Sequence, residues 1–437
     1  VSAVWLEVSY SHLCGDALVQ GIEQCDDGNT VNTDSCTNKC QVYGPQPAYP
    51  ISQLITSQPP QITLPRPEYL KPVALPGLGT SIVRISDATT FGSGQRYYKH
   101  YYSKQQPWNS DGTRIILSHD AHRVYFLDGR TFAYQWTSTN VPEYPKWSSN
   151  NPDLMYGVSG VTFVKYTPST GAKQVLKTFP EFSLMYLGVG EGSLSDDDCY
   201  APLVGVSATG LTVVIYDTLN NVEVSRKHFP GGTTKNMDWT SMSPSGQYVV
   251  VNMNDGTLAG TYYDLYDIQM NYLRRLNIYA GGHADIGYDT AGNEVMVSAH
   301  FEGGKGVLIT TTRLADNTVR QELPGISEPA GIYMASNSHI SCRNINRPGY
   351  CYISNFAFGS ALDAYMYREV YSLKLDGSGT VERFSQDFKA PLPLADLDYS
   401  RSAMAVPNRD GSLVLFSSDW GDASGNAIIY DYVAGVQ

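Results

Sequence analysis

The side chains best suited to chemistry in this sequence are its eight histidines, six of which flank turns that introduce strand-like runs. Imidazole titrates near neutral pH and serves as acid, base or metal ligand. His100 stands in RYYKHYYSK, His119 and His122 in LSHDAHRV, His283 in GGHADIGYD and His339 in SNSHISCRNINRPGY. His300 follows a strand-like run of its own, while His12 and His228 look incidental. His283 and His339, with Cys199 and Cys342, offer the nitrogen and sulfur donors that hold Zn²⁺. The competing arrangement pairs Cys342 with Cys351 across the NRPGY turn. It leaves Cys199 as an odd thiol and the histidines as loop residues, and it is the expectation for a secreted chain.

Cys14, Cys25, Cys36 and Cys40 all fall within the run CGDALVQGIEQCDDGNTVNTDSCTNKC at 14–40. That density, with almost nothing apolar to build a core, implies two disulfides and an oxidising compartment. Three pairings are possible. Asp26, Asp27, Asn29, Asn32 and Asp34 crowd the same run. Hard oxygen donors so close together can hold Ca²⁺, and the same residue types equally make Asx turns. Asp196–Asp198 is read as a solvated loop, with Ca²⁺ ligation as the alternative.

Tyrosines recur in YYKHYY at 97–102, TYYDLYD at 261–267 and DAYMYREVY at 363–371. They either expose faces for sugar C–H groups to stack on or alternate between the two sides of a strand. Only 16% of residues are charged, and 32 tyrosines and 40 glycines shift the polarity toward hydroxyls and amides. Such a surface suits sugars or wet protein contacts. A net charge of −12 and the absence of any Lys/Arg run beyond Arg274-Arg275 argue against nucleic acid, which needs basic stripes. No apolar stretch is long enough for a membrane span. The sequence has no Asn-x-Ser/Thr sequon and starts at Val1 without Met; it reads as a mature or excised segment of a longer precursor.

These residues must be positioned by β-structure. Residues 1–13, with VWLEVSY, read as one isolated strand. Residues 14–40 form the cysteine-rich module, and 41–78 a proline-rich linker of semi-rigid polyproline II character. From 79 to 437, polar turns introduce β-rich runs: SDGTRIILS (110–118), NPDLMYGVS (151–159), ATGLTVVIYD (208–217), SPSGQYVVVNM (243–253), TAGNEVMVSA (290–299), RPGYCYIS (347–354) and RDGSLVLFSSD (409–419). Their spacing is that of four-stranded blades with variable loops. The fold expected is all-β, a seven-bladed β-propeller preceded by the disulfide-rich module and linker, with GTSIVRIS at 79–86 closing the ring. A pair of β-sandwiches is the alternative.

Two resemblances add to this. The run at 14–40 resembles the CGDG…GE.CDDGN…D.C…C repeat of myxobacterial and protist surface proteins, with Ala17 where that family usually has Gly. It implies an extracellular spacer or adhesion module without catalytic role. The strand layout of 79–437, the histidine before a middle blade and the closing PNRDGSLVLFSSD resemble the propeller-fold polysaccharide lyases of the oligogalacturonate and ulvan lyase families. That resemblance implies removal of the proton α to a uronate carboxylate by a base, with a cation or imidazole neutralising the carboxylate. Under it, His100 and His119 match the two ulvan lyase histidines, Tyr166 or Tyr156 takes the tyrosine's place, and His283 matches one histidine of the metal-dependent pectin enzymes. Two departures weaken the match: no Arg occurs between Arg130 and Arg226, and MAVPNRDG lacks the histidine pair of that family.

The expectation is an extracellular structural or adhesive subunit that self-assembles or joins neighbouring surface proteins through its N-terminal strand and linker. The alternative is a lyase, or a lyase-derived binder, of uronate-containing polysaccharide.

Overall fold

Seven antiparallel sheets follow one another along the chain and close into a seven-bladed β-propeller in the computed structural model. The structure describes residues 47–437 except 56–58, 93, 119–122, 255–260, 279–282, 303–305, 324–337, 356–365, 367, 391–398 and 437. The expectations placed on the strand at 1–13, on Cys14, Cys25, Cys36 and Cys40, on Ca²⁺ at Asp26, Asp27, Asn29 and Asp34, and on His119 lie outside the described residues. Tyr49–Gln437 forms one compact unit, which rules out the pair of sandwiches. Among the described residues no helix is long and apolar enough to cross a membrane.

Blade 1 holds Arg114–Leu117, Val124–Asp128 and Tyr134–Ser138, with a Trp108–Ile115 bridge on its inner edge. Blade 2 runs through Glu143–Trp147, Met155–Ser159, Thr162–Thr167 and Ala172–Thr178. Blade 3 has Leu184–Leu187, Tyr200–Ser207, Gly210–Asp217 and Val222–Pro230. Blade 4 has Met237–Met242, Tyr248–Asn254, Thr261–Asp267 and Tyr272–Arg275. Blade 5 has Asp285–Tyr288, Glu294–Glu302, Gly306–Arg313 and Val319–Leu323. Blade 6 has Ser338–Ser341, Tyr350–Asn355, Glu369–Lys374 and Thr380–Gln386. Blade 7 combines Val406–Pro407, Leu413–Ser418 and Ile429–Val436 with Thr80–Arg84 and Val73–Leu75 from the start of the unit.

Thr80–Arg84 pairs antiparallel with Ile429–Val436, so GTSIVRIS does close the ring. Closure removes the two raw sheet edges that an open ring would carry.

Six of the seven turn-and-strand runs sit at the second strand of a blade. The exception is ATGLTVVIYD, which is the third strand of blade 3. The second strand there, Tyr200–Ser207, follows SDDDC instead of a glycine turn. Gly112, Gly246, Gly292, Gly349 and Gly411 take positive φ in the corresponding turns of five other blades, and Asp198 takes φ 63° in blade 3. Aspartate is one of the few side chains that tolerates this left-handed region. Asp198 is buried and accepts from the Ser148 hydroxyl at 2.5 Å and the Ser149 amide at 2.9 Å. It is a turn-forming residue, which corrects the reading of a solvated loop at Asp198, while Asp197 is exposed as that reading expected.

The core lies between blades. One cluster joins blades 1 and 2 through Phe126, Trp147, Met155 and Tyr166. Others join blades 2 and 3 through Phe163 and Leu203, blades 3 and 4 through Val213 and Val251, and blades 5 and 6 through Val297 and Ile353. Middle strands buried on both faces, such as Gly210–Asp217, read as continuous apolar runs, and outer strands such as Ala172–Thr178 are exposed. Cys342 and Cys351 form a disulfide linking the first and second strands of blade 6. This is the pairing expected from the sequence, and it removes Cys342 from the alternative Zn²⁺ donor set.

The described part of the linker lies against the outer edges of two blades. Ser52–Leu54 pairs with Thr380–Gln386 of blade 6. The Ile62 amide donates to Gln386 at 2.8 Å and the Trp420 indole donates to the Leu64 carbonyl at 3.0 Å.

Candidate functional site

The first strands of the blades surround the central channel, and propellers place ligands where these strands and their loops converge. Three tyrosines from consecutive blades form a file there. Tyr101 precedes blade 1, Tyr144 lies in the first strand of blade 2 and Tyr186 in that of blade 3. Their ring centroids are 5.7 Å and 5.8 Å apart, and all three are partly exposed. Tyr144 holds φ at 50° and Val189 at 54°. Non-glycine residues in this region carry strain that the surroundings must enforce. Gly190 lets them do so. A Cβ on it would stand 3.0 Å from the Tyr144 ring and 3.3 Å from the Tyr101 hydroxyl.

Beside the file, the buried Lys104 ammonium donates to Glu191 at 2.8 Å and lies 4.2 Å from the centre of the Trp239 ring. Burial raises the pKa of Glu191 above the usual carboxylate range, opposed by Lys104. Asp238 is exposed and its charge reaches the same group.

A second aromatic group joins Tyr102, His283, His339 and Tyr399. The two imidazoles stack with centroids 4.4 Å apart. His339 Nε2 lies 2.8 Å from the Tyr399 hydroxyl, which in turn meets the Tyr102 hydroxyl at 3.1 Å and His283 Nε2 at 3.5 Å. Burial, followed by the Lys104 charge, lowers the pKa of His283 to about 4. Burial and the neighbouring His283 lower that of His339 well below its ordinary value. Both rings are neutral at pH 7. Burial raises Tyr102 and Tyr399, so both hydroxyls stay protonated.

His283 and His339, the proposed Zn²⁺ donors, are thus brought together. Neutral imidazoles suit a metal, but a stable site needs three or more donors. Among the described residues no group of three His, Cys, Asp or Glu is placed to hold one. The neighbours of the pair are hydroxyls and an ammonium, and the donor set does not fit a resident metal.

The other proposed residues are placed apart. His100 is buried; its amide donates to Asp431 at 2.5 Å, its Nδ1 lies 3.0 Å from the same carboxylate and its Nε2 lies 2.7 Å from the Met404 carbonyl. Neither ring nitrogen is left to take a proton from a substrate. Tyr166 is buried between blades 1 and 2, its hydroxyl 3.3 Å from Ser138. Tyr156 is buried between blades 2 and 3. The structure does not bring His100 and Tyr166 together.

Chain comparison places this fold among known ones. The chain is similar to an oligogalacturonate lyase solved in complex with manganese, at 13% identity over 89% of this chain and 98% of that one, with a TM-score of 0.57. It is similar to the oligogalacturonate lyase of Vibrio parahaemolyticus at 13% identity, over the same shares, with a TM-score of 0.55. The propeller is structurally related to polysaccharide lyases. At this identity the likeness is one of fold. Residues 8–41 match a family described as a domain of unknown function, DUF4215. No curated protein matches the sequence.

Sequence reasoning missed Tyr144, Tyr186, Lys104 and Glu191. Tyr144 and Tyr186 stand alone in EYPKW and LMYL, outside any tyrosine cluster. Their shared place in the first strand of successive blades was the signal that could have found them.

Proposed function

We propose that this chain is an extracellular adhesive protein whose propeller holds a polysaccharide without cleaving it. The Tyr101–Tyr144–Tyr186 file carries this reading. Sugar C–H groups bear partial positive charge and are drawn to the negative face of an aromatic ring. Three rings in series offer a track along which a chain of sugars can lie. Glu191 and the exposed Asp238 stand beside the track with Lys104 and Lys146, two charges of each sign, so a neutral polysaccharide suits it better than a polyuronate. The extracellular assignment is supported by the cysteine density at 14–40 and by the disulfide in blade 6.

Affinity electrophoresis of the full chain on gels containing neutral or uronate polysaccharides tests this. Retardation by a neutral polymer, reduced about two- to tenfold by Tyr144→Ala, is expected, since one aromatic contact is worth about 0.5–1.5 kcal/mol. Retardation unaffected by the substitution would remove the tyrosine file from the account. Self-assembly through the N-terminal segment is part of the same reading, and electron microscopy of concentrated protein should show filaments; uniform monomers would count against it.

One observation favours a second reading, β-elimination on a uronate. His283 is neutral and its Nδ1 has no hydrogen-bond partner among the described residues. In that role His283 would take the proton and Lys104 would face the carboxylate. Lys104 is already paired with Glu191, and the manganese held by the solved lyase finds no matching donor set among the described residues. Unsaturated products, read by ultraviolet absorbance after incubation with pectin, ulvan or alginate, would favour elimination over binding.

A further inference from the structure

At the far ends of the first strands from the histidine pair, the turns of five blades line a polar cleft that opens to solvent. Lys146, Arg343 and Arg409 line it together with Asp196, Ser193 and Trp147. They come from blades 2, 6, 7 and 3, so only the closed ring assembles them.

Arg409 is 7% exposed. Its Nη2 donates to the Ser148 carbonyl at 3.1 Å, and its Nε has no hydrogen-bond partner among the described residues. A buried guanidinium left with an idle donor at a cleft calls for an explanation. Arg343 is held by Asp285 through two contacts of 3.1 Å and 3.0 Å. Lys146 is 6% exposed and, among the described residues, makes one hydrogen bond, to the Gly190 carbonyl at 2.9 Å; an ammonium carries three donors.

Carboxylates stand against the cleft's cations without filling their donors. Asp285 answers Arg343, and Asp198 is engaged by Ser148 and Ser149. Asp196 makes no side-chain hydrogen bond among the described residues. Burial raises its pKa to about 6, opposed by Arg343 and Arg409. Burial lowers the pKa of Lys146 to about 7 and that of Arg409 to about 10, the latter against the charges of Asp198 and Asp196.

We propose that this cleft binds a small singly charged carboxylate, such as a free sugar acid, through Arg409 and Lys146. A planar carboxylate matches the two-donor edge of a guanidinium. Trp147, Leu194 and Ile345 offer apolar wall for the body of such a molecule. A dianion such as phosphate would face both Asp196 and Asp198 and is disfavoured. The cleft adjoins the tyrosine file through the Lys146–Gly190 hydrogen bond, but its ligand does not rest on the polysaccharide reading.

Calorimetric titration of the full chain with sodium glucuronate, with acetate and inorganic phosphate as comparisons, tests the proposal. Saturable one-to-one binding of glucuronate in the millimolar range is expected, with acetate weaker through loss of wall contacts and phosphate weaker still. Arg409→Gln should weaken glucuronate at least tenfold, while His228→Ala, on an exposed outer strand, leaves it unchanged. Should Arg409→Gln fail to fold, Asp196→Asn serves instead. It removes a like charge from a group without side-chain hydrogen bonds and should tighten glucuronate severalfold at pH 7. Absence of saturable glucuronate binding, phosphate binding as tightly as glucuronate, or indifference to the cleft substitution would each overturn the assignment. Loss of binding in Tyr144→Ala alone would move the carboxylate to the other site.

Discussion

The imidazole of His100 lies 3.0 Å from the carboxylate of Asp431, 331 positions later in the chain. The same carboxylate accepts from the Ser417 hydroxyl at 2.7 Å, and the Asp431 amide donates to Ser86 at 2.9 Å. Residues before the first blade and inside the last strand are thereby tied at the seam of the ring. A histidine with the spacing of a catalytic group is used here to hold the propeller shut.

Asp431→Ala should therefore destabilise the fold strongly. Losing this buried carboxylate leaves the His100 amide and ring and the Ser417 hydroxyl without their acceptor, at about 1–3 kcal/mol for each unmet group. Urea unfolding should show a loss of that order, against less than about 0.5 kcal/mol for the exposed His228→Ala. An Asp431 variant as stable as wild type would mean the seam is held elsewhere.

Gly190→Ala tests the strained tyrosine track. The added methyl would meet the Tyr144 ring and the Tyr101 hydroxyl, at a backbone φ of 89° that alanine resists. We expect about 1–2 kcal/mol of lost stability and a displaced Tyr144, seen as reduced retardation by polysaccharide. Unchanged binding would show that the rings need no such seat.

The titration of His283 has a definite sign. Its folded pKa of about 4 lies below the ordinary 6.5, so the native state binds fewer protons than the unfolded chain between those values. Stability is held above pH 6.5 and lost as pH falls toward 4. Between those limits wild type should lose about 2 kcal/mol more than His283→Gln, after allowance for the partial exposure of the ring. An NMR midpoint for His283 near its ordinary value would refute the neutral pair.

Replacing Cys342 and Cys351 together by alanine should cost about 2–3 kcal/mol, because a short closed loop gives a modest entropic gain. The loss should be matched by adding a reductant to wild type, and thermal melts of the three samples check this. Equal melting of oxidised and reduced protein would make the bridge ornamental.

Much of the architecture was legible because its signals are local. Turn residues with positive φ and apolar second strands repeat along the chain, and GTSIVRIS stands out as a strand without a blade of its own. The third blade misled because Asp198 does a glycine's work, so its marker turned up one strand late. The site was far less legible. His100 and Tyr166 have suitable chemistry, but nothing in RYYKHYYSK or FVKYT tells that one ring is bracketed by Asp431 and Met404 and the other is core. Arg343 and Arg409 lie far along the chain from Lys146, and only ring closure sets them around one cleft.

The three-residue ladder between Ser52–Leu54 and Thr380–Gln386 has a mechanical meaning. It sits upstream of Thr80–Arg84, the strand that seals the ring. A pull arriving through residues before 52 is shared with blade 6 before it reaches the seal, as a cable is clamped ahead of its plug. A tug on the leading segment then falls on a blade edge ahead of the closing strand.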